Sequence, residues 1–554
     1  MFLNVVSVNA QEITSLKDTL KVDGDVSLRN VLYTMGGTED RRVPYSFVLG
    51  ANITISKGEF SLPFGFTYSE QERNFSQPFN QFGITPEYKW IKGYAGFNSL
   101  DWNNYTLNGM QFLGGGVELT PKKFRFGFMY GRFQRATAID SIGFIEKSTS
   151  NPAYKRTGWA SKVGVGTESS FIDLIVFKGK DQIQNFSPIL KDSVTPVFAA
   201  ENTSVGIKTK LALASFLSFN MDVGVSVFNR DQNAPTLDTT EQTSALLLFN
   251  SIHNVNLSTS VFYGGDASLQ FNVKGQTLSL KSKYVLPDYQ SMGIYYMDND
   301  VFSYGFDHSF SAWKSKIYLN YGLNRLNDNL LNKKEVTTIR IQPIVNLSFN
   351  PSLKWGIETN WNNYYTRQEN GTIELSDSFR IAQANPGLTI TPHAQWGDTV
   401  VYYSVYGLYT KMQLVDNNPL TAINSQYTAT VYGLNYAQSL LKQNMSLSVG
   451  LNQTLSENNY TREKALGINL GANKSDDKSK WNAGVNLGLQ FSNLSNNFSL
   501  GLNGQYNLKK KQRIDLSLTT LRSNAKEPSA NSFTELTFVV NYTKNFQYAH
   551  KKKK

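Results

Sequence analysis

The sequence predicts an all-β fold: a single large antiparallel transmembrane β-barrel of about 22–28 strands, with short periplasmic turns and long extracellular loops. Three observations predict it. Apolar and polar residues alternate over stretches longer than an ordinary strand, very short links alternate with long polar ones, and tryptophans gather near the short links.

The clearest alternation covers residues 217–227, where apolar residues hold the odd positions and Ser, Asn, Asp or Gly hold the even ones. This period of two is typical of a strand with one apolar and one polar face. Strands of soluble proteins run about 5–6 residues, whereas a tilted membrane-spanning strand needs about 9–11. Similar stretches occur at 339–349, 445–455 and 481–491. Such strands could bury their apolar face against a second sheet, or close into a barrel whose apolar face meets lipid.

Composition excludes several classes of protein. The chain has 554 residues, no cysteine and a net charge of +11, and 18% of its residues are charged. Disulfides and thiolate metal sites are therefore excluded. No apolar run approaches the roughly 18 residues that a transmembrane helix needs. Basic residues are scattered rather than clustered on one element, so we expect no nucleic-acid partner.

The chain divides into four predicted parts. Residues 1–10 resemble the remnant of a secretory signal peptide, and 11–24 form a short N-terminal periplasmic segment. Residues 25–546 form the barrel, and 547–554 are a basic C-terminal tail. Within the barrel, strands are predicted at 93–103 and 105–120, among others, and a less regular piece at 242–251.

The links between candidate strands alternate in length, as the two ends of a membrane barrel require. A stack of β-sandwich domains has no reason to keep that order. Very short links lie at 57–58, 121–123, 169–170, 215–216, 314–315, 351–352 and 397–398, and long ones at 137–154, 183–201, 287–300, 369–377, 415–424 and 523–532.

Five tryptophans lie within a few residues of short links: Trp90, Trp313, Trp355, Trp396 and Trp481. We expect them to form an aromatic belt at the lipid–water interface, where the ring is apolar and its N–H is hydrated. The alternative is that they are core tryptophans at the strand ends of a soluble sheet.

The last predicted strand, 534–546, carries Leu536, Phe538, Val540 and Tyr542 on one face and reaches Phe546. In this pattern the chain resembles the outer-membrane β-barrel proteins of Gram-negative bacteria. The resemblance implies a location in the cell outer membrane and contact with its lipid and lipopolysaccharide. It also implies that the barrel assembly machinery recognises Phe546 as an assembly signal.

A catalytic or metal site is not predicted. The four histidines, His253, His308, His393 and His550, show no ligand spacing. In a strand, His308 would face away from its neighbours Asp307 and Ser309. We therefore expect no enzyme activity, no cofactor and no metal, and we interpret Asp300 as part of a plain acidic loop.

Alternation predicts which charged residues line the lumen: Arg125, Asp222, Arg340, Lys354, Glu358, Arg513 and Asp515. A barrel of more than about 20 strands would be wide. Similar barrels that act as energised receptors carry a folded plug domain, and residues 11–24 cannot supply one. The lumen must stay open, be filled by inward-folded loops, or hold a partner.

The first functional hypothesis is a porin-like passage for small polar solutes, with a weak preference for anions. The second is a non-conducting barrel subunit of an outer-membrane machine for protein or lipopolysaccharide export or assembly, which would bind a periplasmic or outer-membrane protein. The third is a secreted β-sandwich adhesin.

Overall fold

A computed structural model describes residues 19–69, 81–136, 153–183, 197–238, 240, 242, 244–376, 380–508, 511–526 and 530–550. Strands account for most of this part of the chain. They are β1 (Leu20–Gly36), β2 (Tyr45–Lys57), β3 (Phe60–Ser69), β4 (Gln81–Ile84), β5 (Glu87–Tyr88), β6 (Ile91–Ser99), β7 (Gln111–Leu119), β8 (Phe124–Gln134), β9 (Arg156–Gly166), β10 (Phe171–Asp181), β11 (Glu201–Ala214), β12 (Leu217–Asn229), β13 (Thr259–Val273), β14 (Gln276–Val285), β15 (Val301–Ala312), β16 (Ile317–Asn327), β17 (Val336–Ser352), β18 (Trp355–Asn362), β19 (Tyr365–Asn370), β20 (Ala382–Ala384), β21 (Gly387–Gly397), β22 (Val401–Asp416), β23 (Tyr427–Leu440), β24 (Met445–Asn458), β25 (Arg462–Ser475), β26 (Trp481–Ser492), β27 (Ser495–Leu508), β28 (Gln512–Ala525) and β29 (Phe533–His550).

These segments form one closed antiparallel barrel of 26 strands. Three strands are interrupted, because β4 with β5, β18 with β19, and β20 with β21 each pair with the same neighbours. The barrel closes where β1 pairs with β29 from Leu20 opposite His550 to Gly36 opposite Thr534. The predicted fold class and strand number are therefore confirmed.

From β1 to β23 the links keep the predicted alternation of short and long, whereas farther along the long-link rim also carries the short connections 459–461 and 493–494. One rim, the short-link rim, carries connections such as 58–59, 215–216, 274–275 and 353–354, and its longest is 476–480. The other, the long-link rim, carries 135–155, 182–200, 230–258 and 286–300. In an outer-membrane barrel the short-link rim is periplasmic and the long-link rim is extracellular.

Helices are few and short in the described part of the chain. They are α1 (Ser244–Leu247), α2 (Ala422–Ser425) and a 3₁₀ turn (Leu441–Gln443). None of the helices among the described residues is long and apolar enough to cross a membrane.

Some predicted boundaries differ from the structure. The first strand begins at Leu20 rather than at residue 25, and the last continues to His550 rather than ending at 546. The predicted signal remnant at 1–10 lies outside the described residues, as does the end of the tail at 551–554. The predicted strand 105–120 was wrong in its first part, because β7 begins only at Gln111, and the piece at 242–251 is a loop that contains α1.

Candidate functional site

The two faces of the wall differ in polarity. Residues directly opposite each other on neighbouring strands share a face. On β8, Phe124, Phe128 and Tyr130 are exposed, whereas the alternate residues Gly127 and Met129 are buried inside the barrel. Exposed apolar side chains continue on the outer face of other strands, for example Leu174, Ile207, Val225, Leu280, Leu323, Leu451, Leu502 and Leu516. The apolar face therefore points outward, as a wall in contact with hydrocarbon requires.

The five tryptophans predicted to form a belt all lie at the short-link rim. Trp90 and Trp313 are in links, and the other three lie near strand ends. All are at least 37% exposed: Trp90, Trp313, Trp355, Trp396 and Trp481. Phe349 lies between Trp313 and Trp355, with ring centroids 6.0 and 5.9 Å away. This placement is what an interfacial belt would need.

The structure places most of the predicted lumen residues on the inner face. The strand register puts six of them on the same face as small polar residues: Arg125, Asp222, Arg340, Glu358, Arg513 and Asp515. Lys354 is the exception and corrects the prediction. It lies in the link between Ser352, which ends β17, and Trp355, which begins β18, so it belongs to the short-link rim and not to the lumen wall.

The link between β6 and β7 folds into the lumen. This inner segment, residues 100–110, is more deeply buried than most of the wall: Trp102 is 4% exposed, Tyr105 1% and Leu107 0%. Leu100, Trp102 and Leu107 pack in one cluster with inner-face residues such as Phe112 and Phe177, and Tyr105 packs in a second cluster with Tyr289. The lumen is therefore partly filled by a loop of the chain itself, one of the three possibilities that the sequence left open.

Glycines on the inner face make room for the inner segment. A Cβ at Gly127 would lie 2.7 Å from the Trp102 ring, and one at Gly206 2.7 Å from the Asn103 amide oxygen. At Gly224 it would lie 2.6 Å from the Tyr105 Cβ, which is closer than real Cβ contacts allow. Because glycine weakens a strand, its presence here is explained by the close approach of the segment.

Polar contacts fix the inner segment in one register. The Asp222 carboxylate accepts hydrogen bonds from the Asn103 side-chain amide and from the Asn104 backbone N–H, the latter at 3.0 Å. The Tyr105 hydroxyl donates to Asp266 at 3.0 Å. These charge-assisted bonds join the segment to β12 and β13, and such bonds are stronger than neutral ones.

A second inner loop, residues 286–300, lies against the inner segment. The Tyr289 hydroxyl donates to the Tyr105 carbonyl at 2.5 Å, and the Ser291 hydroxyl donates to the Thr106 carbonyl at 3.0 Å. At the far end of this loop, burial of Asp300 opposes its ionisation. Hydrogen bonds from Lys334 and from two backbone N–H groups outweigh that effect and lower the pKa of Asp300. The two loops therefore form a single structure that is fixed to the wall.

Many charges on this side of the lumen are paired. The guanidinium of Arg125 donates twice to Asp173, at 2.7 and 2.9 Å, and the two side chains are only 14% and 2% exposed. Lys162 on β9 pairs with Glu118 on β7 across the intervening strand β8. Further pairs join neighbouring strands: Arg156 with Asp181, Lys208 with Asp222, and Lys281 with Asp307. Paired charges of both signs leave little net field across this part of the wall.

The opposite side of the lumen differs in both charge and filling. From β24 to β27 the inner face carries mostly Ser, Asn, Gly and Gln, with Thr454, Glu463 and Ala465 near the long-link rim. Side chains such as Asn452, Asn469 and Asn503 are exposed to the lumen. We call the inner faces of these four strands the amide wall.

A further loop lies outside the wall. The outer loop, residues 230–258, covers the outer face near the long-link rim, where His253 is 2% exposed and contacts Thr203 and Asn229. Burial lowers the pKa of His253 to about 4. Beneath the loop, Leu248 and Phe249 border an apolar groove of about 840 Å³ on the outer side of the wall. This groove is separate from the lumen.

Sequence reasoning missed the inner segment. A signal for it existed, because glycines at 127, 206, 224 and 264 fall on inner positions of different strands. Their alignment becomes visible only when the strand register is known. Among the described residues, no group of three or more His, Cys, Asp or Glu side chains is placed to hold a metal ion.

A closed barrel that is apolar outside and polar inside satisfies every backbone hydrogen bond within a membrane. Large closed barrels of this kind are characteristic of the bacterial outer membrane. The chain is an outer-membrane β-barrel protein.

No protein-family model and no curated protein matches the chain. Among similar solved structures, Pseudomonas aeruginosa OccK2 (OpdF) in complex with glucuronate is 9% identical, with 95% of this chain and 98% of that chain covered and a TM-score of 0.33. The copper transporter OprC is 9% identical, with 96% and 81% covered and a TM-score of 0.39. The translocation pore of the P pilus usher PapC is also 9% identical, with 95% and 99% covered and a TM-score of 0.39. The barrel geometry itself, and not these low-scoring likenesses, defines the class.

Proposed function

We propose that the protein is a porin-like passage for small polar solutes across the outer membrane. The observation that carries this proposal is the asymmetric lumen. The inner segment and the second inner loop occupy one side, and the amide wall on the other side remains exposed. A wide barrel whose lumen is only partly filled by its described loops is suited to diffusion of small hydrophilic molecules.

The charge distribution supports weak ion selectivity. The inner-face ion pairs, such as Arg125 with Asp173, neutralise each other locally. The excess of basic residues in the whole chain favours anions slightly. We therefore expect a small shift of the reversal potential towards anion selectivity in a salt gradient.

The experiment is conductance in planar lipid bilayers. Purified protein that migrates as a folded barrel on an unheated gel is expected to give discrete current steps. A variant in which residues 102–108 are replaced by a short Gly-Ser linker is expected to give larger steps, because the inner segment no longer narrows the lumen. Folded protein that inserts into bilayers and stays silent would refute the proposal.

A further inference from the structure

The amide wall has a regular composition that the ion-pair side of the lumen lacks. Neighbouring strands align its residues in rows, and every position in these rows is Ser, Asn, Gly or Gln. The rows are Ser446, Asn473, Gly484, Asn503; Ser448, Gly471, Asn486, Gly501; Gly450, Asn469, Gly488, Ser499; and Asn452, Gly467, Gln490, Asn497. On β25 and β26 amide side chains therefore alternate with glycine along each strand, and each amide of one strand lies beside a glycine of the other.

The glycines allow the amides to lie flat against the wall. A Cβ at Gly484 would lie 2.6 Å from the Asn503 side-chain oxygen, and one at Gly471 would lie 3.2 Å from that of Asn486. At Gly488 it would lie 3.3 Å from the Asn469 side-chain oxygen. A larger residue at Gly484 would displace the Asn503 side chain, and one at Gly471 or Gly488 would shift the neighbouring amide by a few tenths of an ångström.

The amides of the wall are available for binding. The side chains of Asn452, Asn469, Asn473, Asn486 and Asn503 are exposed and form no hydrogen bond with another described residue. Each therefore presents an N–H₂ donor and a carbonyl acceptor to the lumen. Side by side they make a surface that donates and accepts equally.

A depression in the same surface adds a second observation. A cavity of about 410 Å³ opens among Asn452, Asn469, Gln490 and Asn497. The Asn497 amide donates to Gln490 at 3.0 Å, but its buried side-chain oxygen has no partner. A buried acceptor without a partner is costly unless a water or a ligand hydroxyl supplies the hydrogen bond.

We infer that the amide wall binds neutral polyhydroxylated solutes, namely saccharides, as they pass through the lumen. This inference rests on the proposed passage and names its substrate class. A saccharide presents hydroxyl groups that both donate and accept, which matches the amides of the wall. A charged solute would find no opposite charge in these four rows, and Lys and Arg donors on the other side such as Arg125 and Lys162 are already paired with carboxylates.

The chain offers a matched control. On β16 to β18, the inner-face amides of Asn320, Asn346 and Asn360 bond to one another: Asn346 donates to Asn320 at 3.1 Å, and Asn360 donates to Asn346. These amides also lie on the inner face of the barrel, but outside the amide wall, and some of their donors and acceptors are already engaged in hydrogen bonds with one another. The test variant is Asn469→Ala/Asn486→Ala/Asn503→Ala, and the control is Asn320→Ala/Asn346→Ala/Asn360→Ala.

Two measurements are made with maltohexaose as the neutral probe and hexagalacturonate as the anionic one. The first is blockage of ion current in planar bilayers, and the second is calorimetric binding to the detergent-solubilised barrel. We expect maltohexaose to bind and block, hexagalacturonate to do neither, and the test variant to bind maltohexaose at least about tenfold more weakly. The control variant is expected to bind it as the unmodified protein does.

The outcomes separate this inference from the proposed function. A conducting barrel that maltohexaose neither binds nor blocks overturns the inference and leaves the passage intact. Equal loss of binding in both variants, or equal binding of both probes, also overturns it. If the folded barrel does not conduct, the passage is refuted, and the calorimetric measurement still decides whether the amide wall binds saccharides. Comparison of heated and unheated samples on a gel verifies that each variant is folded.

Discussion

Replacing Tyr105 with alanine is expected to unseat the inner segment and enlarge the conductance of the barrel. The Tyr105 side chain is 1% exposed and packs edge-on against the Tyr289 ring with centroids 5.9 Å apart. Truncating a buried aromatic side chain costs about 3–5 kcal/mol. Because each 1.4 kcal/mol is a factor of ten in an equilibrium, the ratio of seated to unseated segment should fall by at least about a hundredfold.

Tyr105→Phe divides this effect into two parts. It keeps the ring over Gly264 but removes the hydrogen bond from the hydroxyl to Asp266, which is worth about 1–3 kcal/mol. We expect conductance to increase in the order unmodified protein, Tyr105→Phe, Tyr105→Ala. Tyr295→Ala is the control, because Tyr295 is 75% exposed.

The assays are single-channel conductance in planar bilayers and hydrogen exchange of the backbone amides of residues 100–110. Exchange should become faster in the same order as conductance rises. If Tyr105→Ala shows the conductance and the amide protection of the unmodified protein, then the contacts described for Tyr105 do not hold the segment in place.

Three further perturbations have defined outcomes. The pKa of His253, about 4 in the folded loop, is below the unfolded value of about 6.5, so the detached outer loop binds more protons. Its attachment should lose up to about 3 kcal/mol as pH falls from about 6.5 to 4. Hydrogen-exchange protection factors of the loop amides, taken against the intrinsic exchange rate at each pH, should fall accordingly, and in His253→Asn they should not change with pH. Asp173→Asn leaves the Arg125 charge unpaired and should destabilise the barrel by about 3–5 kcal/mol in denaturant titrations, whereas Arg125→Met/Asp173→Leu should recover most of this loss. A Cβ at Gly24 would lie 2.9 Å from a backbone atom of β2, so Gly24→Val should reduce the fraction of protein that migrates as a folded barrel on an unheated gel. A Cβ at Gly504 would have open space around it, so Gly504→Val should leave that fraction unchanged.

Much of the wall was predictable from local pattern. The period of two at 217–227 became β12, because a strand with one face in hydrocarbon must be apolar at every second position. The short links predicted an antiparallel sheet, because two strands joined by a link of only a few residues must run in opposite directions. Both signals depend only on neighbouring residues, which is why sequence alone suffices for them.

The contents of the lumen were not predictable in the same way. Residues 105–110 alternate like the strand that follows them, so they were interpreted as its beginning. Their actual position depends on Gly206 and Gly224, which are distant in sequence and meet the inner segment only in the closed barrel. Lys354 was misplaced because alternation was extended by two residues into a link, where side chains no longer obey it.

The seam between β1 and β29 joins residues separated by almost the whole length of the chain. During synthesis, the first strand therefore has no seam partner until translation of the last one is complete. Contacts of such high sequence separation form slowly, because a very long loop of chain must close first. Until then both edge strands expose unpaired backbone groups, so the newly made polypeptide needs protection from aggregation up to its final strand.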